Sequence, residues 1–356
     1  MIDFRILRAE EYHQAISLAD QTFRDNEHTS MGDAFPQVFS PALNQSYGAF
    51  IDGQLVSFIG LVPSIVHVGA AKIQAYSIGA VCTLLSHRNK GYASILLENV
   101  IAHVQKAKGS LLFVSGNLPI YEKAGCTVYG ELKKYEIQNG ELSPSNGYFV
   151  REVLPYDWFS LQALHQSKKV RVEQSLYDFA ILHQSKGFAS IQKMDHRILV
   201  SEIGNQMKGF VVIGVPKNES AARVIEWGGQ PEAIKAILAK SFEFGINYLK
   251  ISIPIYESEL NRQLDSIENT ISRFPGTIKI TSLKLLLEQI EPFFNGKVKI
   301  VDIDRKYKEL TFNGKTMIVD NEYLKQLLLI GDPDLDRTLK GIFPIPLPHP
   351  EGLNYV

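Results

Sequence analysis

The chain reads as an α/β protein of several units with mixed, largely antiparallel sheets. Three observations carry this: 356 residues, more than twice an ordinary domain of about 150; a hairpin followed by strand, helix, strand; and a second run in the same order further along.

The elements follow in order. Residues 2–8 predict a short strand. Tyr12, Ala15, Ile16, Ala19 and Phe23 recur at helical spacing and predict one buried stripe. After the acid-containing segment RDNEHTSMGDAFPQ (24–37), the run YGAFIDGQLVSFIGLVP (47–63) folds back at Asp52-Gly53 as a hairpin. A strand SIGAVCTLL (77–85), a helix over about 91–107 and a strand SLLFVSG (110–116) come next. Turn-rich QNGELSPSNG (138–147) predicts a boundary. In the second unit, ILVSEIGNQMKGFVVIGV (198–215) resembles the first hairpin, and residues 221–254 repeat strand, glycine turn, helix, strand, as in a degenerate duplication. From about 266 a third segment carries a helix (282–294), three strand-like runs with an Asn313-Gly314 hairpin signal, and a helix (321–330). The tail GIFPIPLPHPEGLNYV (341–356) is kept extended by its prolines.

Composition narrows the function. A hydrophobic content of 45% supplies a sizeable core, and a net charge of -1 leaves no basic excess for nucleic acid or a membrane surface, so neither partner is expected. The start lacks an apolar signal region and no run of about 18 apolar residues occurs, which predicts a cytoplasmic protein. Cys82 and Cys126 lack metal or redox spacing and read as reduced core thiols; the histidines have no ligand spacing either, and no metal site is expected. Trp158 and Trp227 read as core.

The chemistry concentrates at Arg88-Asn89-Lys90-Gly91-Tyr92-Ala93, between strand and helix. A helix start leaves amide N–H groups unpaired and carries about half a positive charge, and two basic side chains add to it, so a diphosphate suits the spot. The alternative is an exposed basic loop before a packed helix. Further on, Tyr121-Glu122-Lys123-Ala124-Gly125-Cys126 ends a short helix.

Together these motifs resemble the GNAT superfamily of N-acetyltransferases, over residues 1–137. Cys126 stands where the family usually has an aromatic residue. The whole layout resembles the Eis-like acetyltransferases: a catalytic GNAT unit (1–140), a degenerate GNAT-like unit (146–265) and a sterol-carrier-protein-like unit (266–356). The resemblance implies acetyl-CoA as co-substrate, its pantetheine on the backbone of Val81, Cys82 and Thr83, and its diphosphate on Arg88, Asn89, Lys90, Gly91, Tyr92, Ala93 and Ser94, with Asn117 nearby. It implies direct attack by a primary amine of a small molecule, such as an aminoglycoside or polyamine, or of a peptide. Tyr121 is then the acid and the terminal carboxylate of Val356 the base, while Asp25 and Glu27 sit where such proteins build the acceptor site. Homo-oligomers occur among these relatives. The second unit's loop, Trp227-Gly228-Gly229-Gln230-Pro231, has no basic residue, and Pro231 removes a donor, so that copy is not expected to hold coenzyme. A non-catalytic acyl-CoA sensor is the competing reading, and a lipid-binding C-terminal module a third.

Overall fold

The computed structural model describes residues 1–143, 145–217, 221–334, 339 and 341–356. The boundary stretch 138–147 falls within them apart from residue 144.

The first sheet begins with β1 (Ile2–Ile6), followed by α1 (Tyr12–Phe23) and two single turns, α2 (Met31–Ala34) and α3 (Pro36–Phe39). Three antiparallel strands come next: β2 (Tyr47–Ile51), β3 (Gln54–Val68) and β4 (Ala71–Thr83). Asp52 and Gly53 both adopt positive φ (50° and 82°), the geometry a two-residue hairpin turn requires. β3 and β4 are far longer than the motif residues suggest, because Val66, Val68, Ala71, Ile73 and Ala75 continue an alternating buried face. Then follow α4 (Tyr92–Lys106), β5 (Leu111–Val114) parallel to β4, and α5 (Pro119–Lys123). In α4, Leu96, Leu97, Val100 and Val104 form the buried stripe. In α1, Leu18 joins Tyr12, Ala15 and Ala19, whereas Phe23 at the helix end is 44% exposed, contrary to the expected stripe.

The strand β6 (Glu131–Gln138) leaves this sheet and pairs in the second one, between β12 (Tyr248–Pro254) and β13 (Asn269–Arg273). Before those come β7 (Phe149–Glu152), α6 (Trp158–Gln166), β8 (Val170–Val172), α7 (Leu176–Ser185), α8 (Gly187–Ile191), β9 (Met194–Ile203), β10 (Gln206–Pro216), β11 (Ala222–Gly229) and α9 (Pro231–Lys240); α10 (Ser258–Gln263) lies between β12 and β13. The chain then repays the exchange: β14 (Thr277–Ile280) pairs with β5 in the first sheet. The sheets therefore run β1-β2-β3-β4-β5-β14 and β7-β9-β10-β11-β12-β6, the same order twice, with β13 beyond β6 and β8 on the far end of β3. Residues 269–280, expected at the start of the third unit, belong to these two sheets.

The remainder is α11 (Leu283–Phe294), the antiparallel sheet β15 (Val298–Asp302), β16 (Tyr307–Phe312) and β17 (Lys315–Asp320), and α12 (Asn321–Leu329). Leu286, Ile290 and Phe294 of α11 pack with Leu324, Leu327 and Leu328 of α12 and with Ile73 and Leu111 of the first sheet, so the third unit shares a core with the first. The tail has no regular secondary structure, yet Phe343, Ile345, Leu347 and Leu353 are buried. Among the described residues no helix is long and apolar enough to cross a membrane.

Candidate functional site

The site lies where two parallel strands separate. β4 and β5 pair from Ala75–Leu111 to Ile78–Val114 and no farther, while β4 continues to Thr83, held on its other side by β3. A register shift and a left-handed Ala80 (φ 51°) mark a bulge at the separation. Among the described residues no strand covers the edge of 79–83, whose backbone groups are left for a ligand to pair with.

The loop after β4 turns through left-handed Asn89 (φ 62°) and Gly91 (φ 81°), and Gly91 opens α4 without any side-chain cap. Ser94 and Ile95 donate back to the Gly91 carbonyl at 3.1 and 3.2 Å, while the Tyr92 and Ala93 amides find no partner among the described residues. The Arg88 Nε donates to the Thr83 carbonyl at 3.3 Å, which ties the guanidinium to the strand end. Val81, Cys82, Thr83 and the whole run Arg88 to Ser94 line one cleft of about 610 Å³, together with Phe23 and Tyr121. The exposure of Phe23 is thereby explained: it faces this cleft. Asn117 is exposed and is not among the lining residues.

Tyr121 is 5% exposed, and its ring approaches Gly116 so closely that a Cβ there would lie 3.3 Å from it. Burial pushes its phenol up to about 12, and burial likewise pushes the Cys82 thiol up to about 12.

Val356 arrives at the same separation from the other side. A Cβ on Gly79 would lie 2.5 Å from the Val356 carbonyl carbon, so the strand accepts the terminus only because it has glycine there. The approach is fixed by partners along the tail. The Tyr256 hydroxyl donates to the Leu347 carbonyl (3.0 Å), Arg223 pairs with Glu351 (3.2 Å), and Gln174 donates to the Asn354 side-chain oxygen (2.6 Å). Tyr355 packs on Phe35 and Phe188. A second cavity of about 520 Å³ opens on this side, with Ser77, Ile78, Val114, Ser115 and Val356 in its wall.

Asp25 and Glu27 stand elsewhere. Lys193 of the second unit donates to both, at 2.8 and 2.7 Å, and with His28 at 2.8 Å it holds the Asp25 carboxyl below its usual range. Neither residue lines the two cavities at the strand separation. The resemblance set them in an acceptor loop, and the sequence carries no information about a lysine 166 residues from Glu27.

The second unit separates its strands as well, with β11 and β12 paired only at Ala222–Leu249 and Arg223–Lys250. There the Gln230 amide already donates to the Lys208 carbonyl (2.9 Å), and Pro231 opens α9. Glu226 accepts from Lys168 at 2.5 Å, and Gly352 of the tail lies against Glu226 and the Ile225 carbonyl. The tail thus crosses the place where the first unit has its cleft. Sequence reasoning missed Gly79, Gln174 and Arg223; an isolated glycine in a strand was the available signal for the first of them.

Residues 3–129 match the family described as the acetyltransferase (GNAT) domain, a match that ends just before the chain crosses to the second sheet. Among solved structures, a probable N-acyltransferase of otherwise unknown function from Enterococcus faecalis is similar over 90% of this chain and 86% of its own, with 15% identity and a TM-score of 0.69. A GCN5-related N-acetyltransferase from Anabaena variabilis covers 90% and 86% at 12% identity (TM-score 0.64), and Eis1 from Mycobacterium abscessus 90% and 85% at 13% (TM-score 0.62). At such identities the likeness is one of fold, and it extends through both large sheets. No curated protein matches the chain.

Proposed function

We propose that the protein is an N-acetyltransferase that moves the acetyl group of acetyl-CoA to a primary amine by direct attack. One observation supports this above the rest: an uncapped helix start, an uncovered strand edge, a buried tyrosine and the last residue of the chain converge on a single strand separation. The amides of Tyr92 and Ala93 with Arg88 and Lys90 take the diphosphate, and Val81 to Thr83 take the pantetheine as an added strand. The acceptor enters by the second cavity.

In this reading the Val356 carboxylate removes the ammonium proton, and the freed amine attacks the thioester carbonyl. The N–C bond forms, the C–S bond breaks, the departing thiolate takes the Tyr121 proton, and the second proton, shed by the nitrogen as the amide forms, restores the phenol while the Val356 carboxyl gives the first to solvent. A phenol at about 12 would be a poor acid toward a thiol of ordinary pKa, about 8.5. The burial that raises the phenol also disfavours a free thiolate beside it, which narrows that gap. The division into units at 1–140, 146–265 and 266–356, the last of sterol-carrier type, belongs to the same reading, amended by the exchanged strands.

The test is free-thiol release from acetyl-CoA across amines, with calorimetry of coenzyme binding alongside. Release that requires an amine supports the reading; binding with no release for any amine replaces it with a sensor.

A further inference from the structure

Residues 347–356 occupy in the second unit the kind of gap that the first unit keeps open, and what holds them there bears on the proposed base. β11 is paired with β10 from Arg223 to Gly229 but with β12 only at Ala222 and Arg223. From Val224 onward its other edge is covered by no strand among the described residues, as is the edge of 79–83 in β4. The tail lies in that gap. On the β11 side, a Cβ on Gly352 would lie 3.6 Å from the Ile225 carbonyl oxygen and from Glu226 Oε2, and Leu353 is buried in one cluster with Phe210, Val212 and Ile225. On the β12 side, Tyr256, two residues past that strand, donates its hydroxyl to the Leu347 carbonyl at 3.0 Å. The space left between His349, Gly352, Glu226 and Pro254 is about 50 Å³, against about 610 Å³ in the cleft of the first unit. Pro346, Pro348 and Pro350 have no N–H to donate, so this segment cannot join the sheet as an ordinary strand. Side chains hold it instead. Arg223, at the last pair before β11 and β12 separate, reaches Glu351 at 3.2 Å, and Gln174, two residues past β8, reaches Asn354 at 2.6 Å.

We propose that the strand separation of the second unit is a binding site for the chain's own C-terminal segment, and that Arg223 and Gln174 are positioning residues, acting through Glu351 and Asn354 to hold the Val356 carboxylate beside Gly79. The positioning role rests on the transfer reading above; the seat of the tail does not. A segment without regular hydrogen bonding gains a fixed end only from such clips, and a reacting group displaced by about 1 Å can cost on the order of 100-fold in rate. The unit that has no basic loop for a coenzyme thus serves the first unit by presenting its base.

The experiment follows release of Val356 by a carboxypeptidase from the folded full-length protein, with thiol release from acetyl-CoA measured alongside for the amine the parent uses best. The proteins compared are the parent, Arg223→Glu, Glu351→Arg, the double exchange of these two, and Gln174→Leu. We expect each single variant to lose Val356 at least 10-fold faster than the parent, with kcat about 10-fold lower and the KM for acetyl-CoA within twofold. The double exchange should bring both rates back to within threefold of the parent, a recovery that a general loss of stability would not give. Gln174→Leu, at an independent clip, carries the test if a reversed charge prevents folding. Release of Val356 at the parent's rate from every variant overturns the binding site. Faster release with kcat unchanged overturns the positioning role and keeps the seat of the tail. If no amine elicits thiol release from the parent, the transfer reading falls with the positioning role, while faster loss of Val356 from the variants still supports the site.

Discussion

Tyr121 and Gly79 are two residues whose substitution tests the proposed chemistry apart from binding. Tyr121→Phe keeps the packed ring and deletes the proton, so turnover should fall about 100-fold or more while coenzyme affinity measured by calorimetry stays within twofold. Turnover within threefold of the parent would remove the tyrosine from the chemistry. Gly79→Ala puts a methyl group 2.5 Å from the Val356 carbonyl carbon, and the three atoms nearest to it all belong to Val356. Its kcat should drop at least tenfold with the KM for acetyl-CoA little changed, and a few residues added after Val356 should do the same. Full activity in both proteins would show that the terminus has no part in the reaction. Phe23 shows how a residue misleads on spacing alone: it fits the helical stripe, but it is the last residue of α1 and lines the cleft beside β4 and α4 instead of the core.

The separated pair β4 and β5, with α4 beside it, is the element on which the proposed anion site rests. If the proposed reading holds, Arg88→Ala should raise the KM for acetyl-CoA about 5- to 10-fold with kcat nearly unchanged, because a guanidinium on the diphosphate would act equally in ground and transition states; a purely kcat effect would move Arg88 out of the proposed phosphate site. Much of this element was legible in advance. The basic loop, the left-handed glycine and the Leu96, Leu97, Val100, Val104 stripe are all local, and local chemistry is what spacing reports. Tyr121 was legible through its short motif. The strand pairing was not: nothing in KKYEIQ (133–138) says that its partners are residues 248–254 and 269–273, since period-two alternation identifies a strand and not its neighbour. The same limit hid Gln174 and Arg223, whose partners lie over 100 residues away on the tail.

At the scale of the whole molecule, the second unit and the C-terminal tail together carry four ring side chains that are easier to bury neutral than charged. Burial pushes His165 and His196 down to about 4 and His183 and His349 to about 3, with Glu226 opposing the shift in His165, His183 and His349. The unfolded chain therefore takes up protons below about pH 6.5 that the folded chain refuses, so stability is full above that pH and is lost as pH falls toward 4. Each ring gives up about 1.4 kcal/mol per pH unit, which for the four removes on the order of 5 kcal/mol by pH 5.5, a large part of an ordinary folding margin. Thermal melts should show Tm falling steeply from pH 6.5 to 5.5, and His183→Phe should flatten the slope. A Tm unchanged between pH 7 and 5 would contradict the burial of these rings.

The reciprocal loan of β6 and β14 between the sheets has a consequence for synthesis. As the polypeptide emerges from the ribosome, Leu111–Val114 has β4 on one flank and nothing on the other until residue 280 has been made. For that interval the nascent chain displays a short, wholly apolar ribbon with unsatisfied hydrogen-bonding groups, a ready template for intermolecular association. Gene fragments ending near residue 140 should accordingly collect in inclusion bodies, and a co-expressed complementary half should restore soluble material by delivering the missing ribbon in trans.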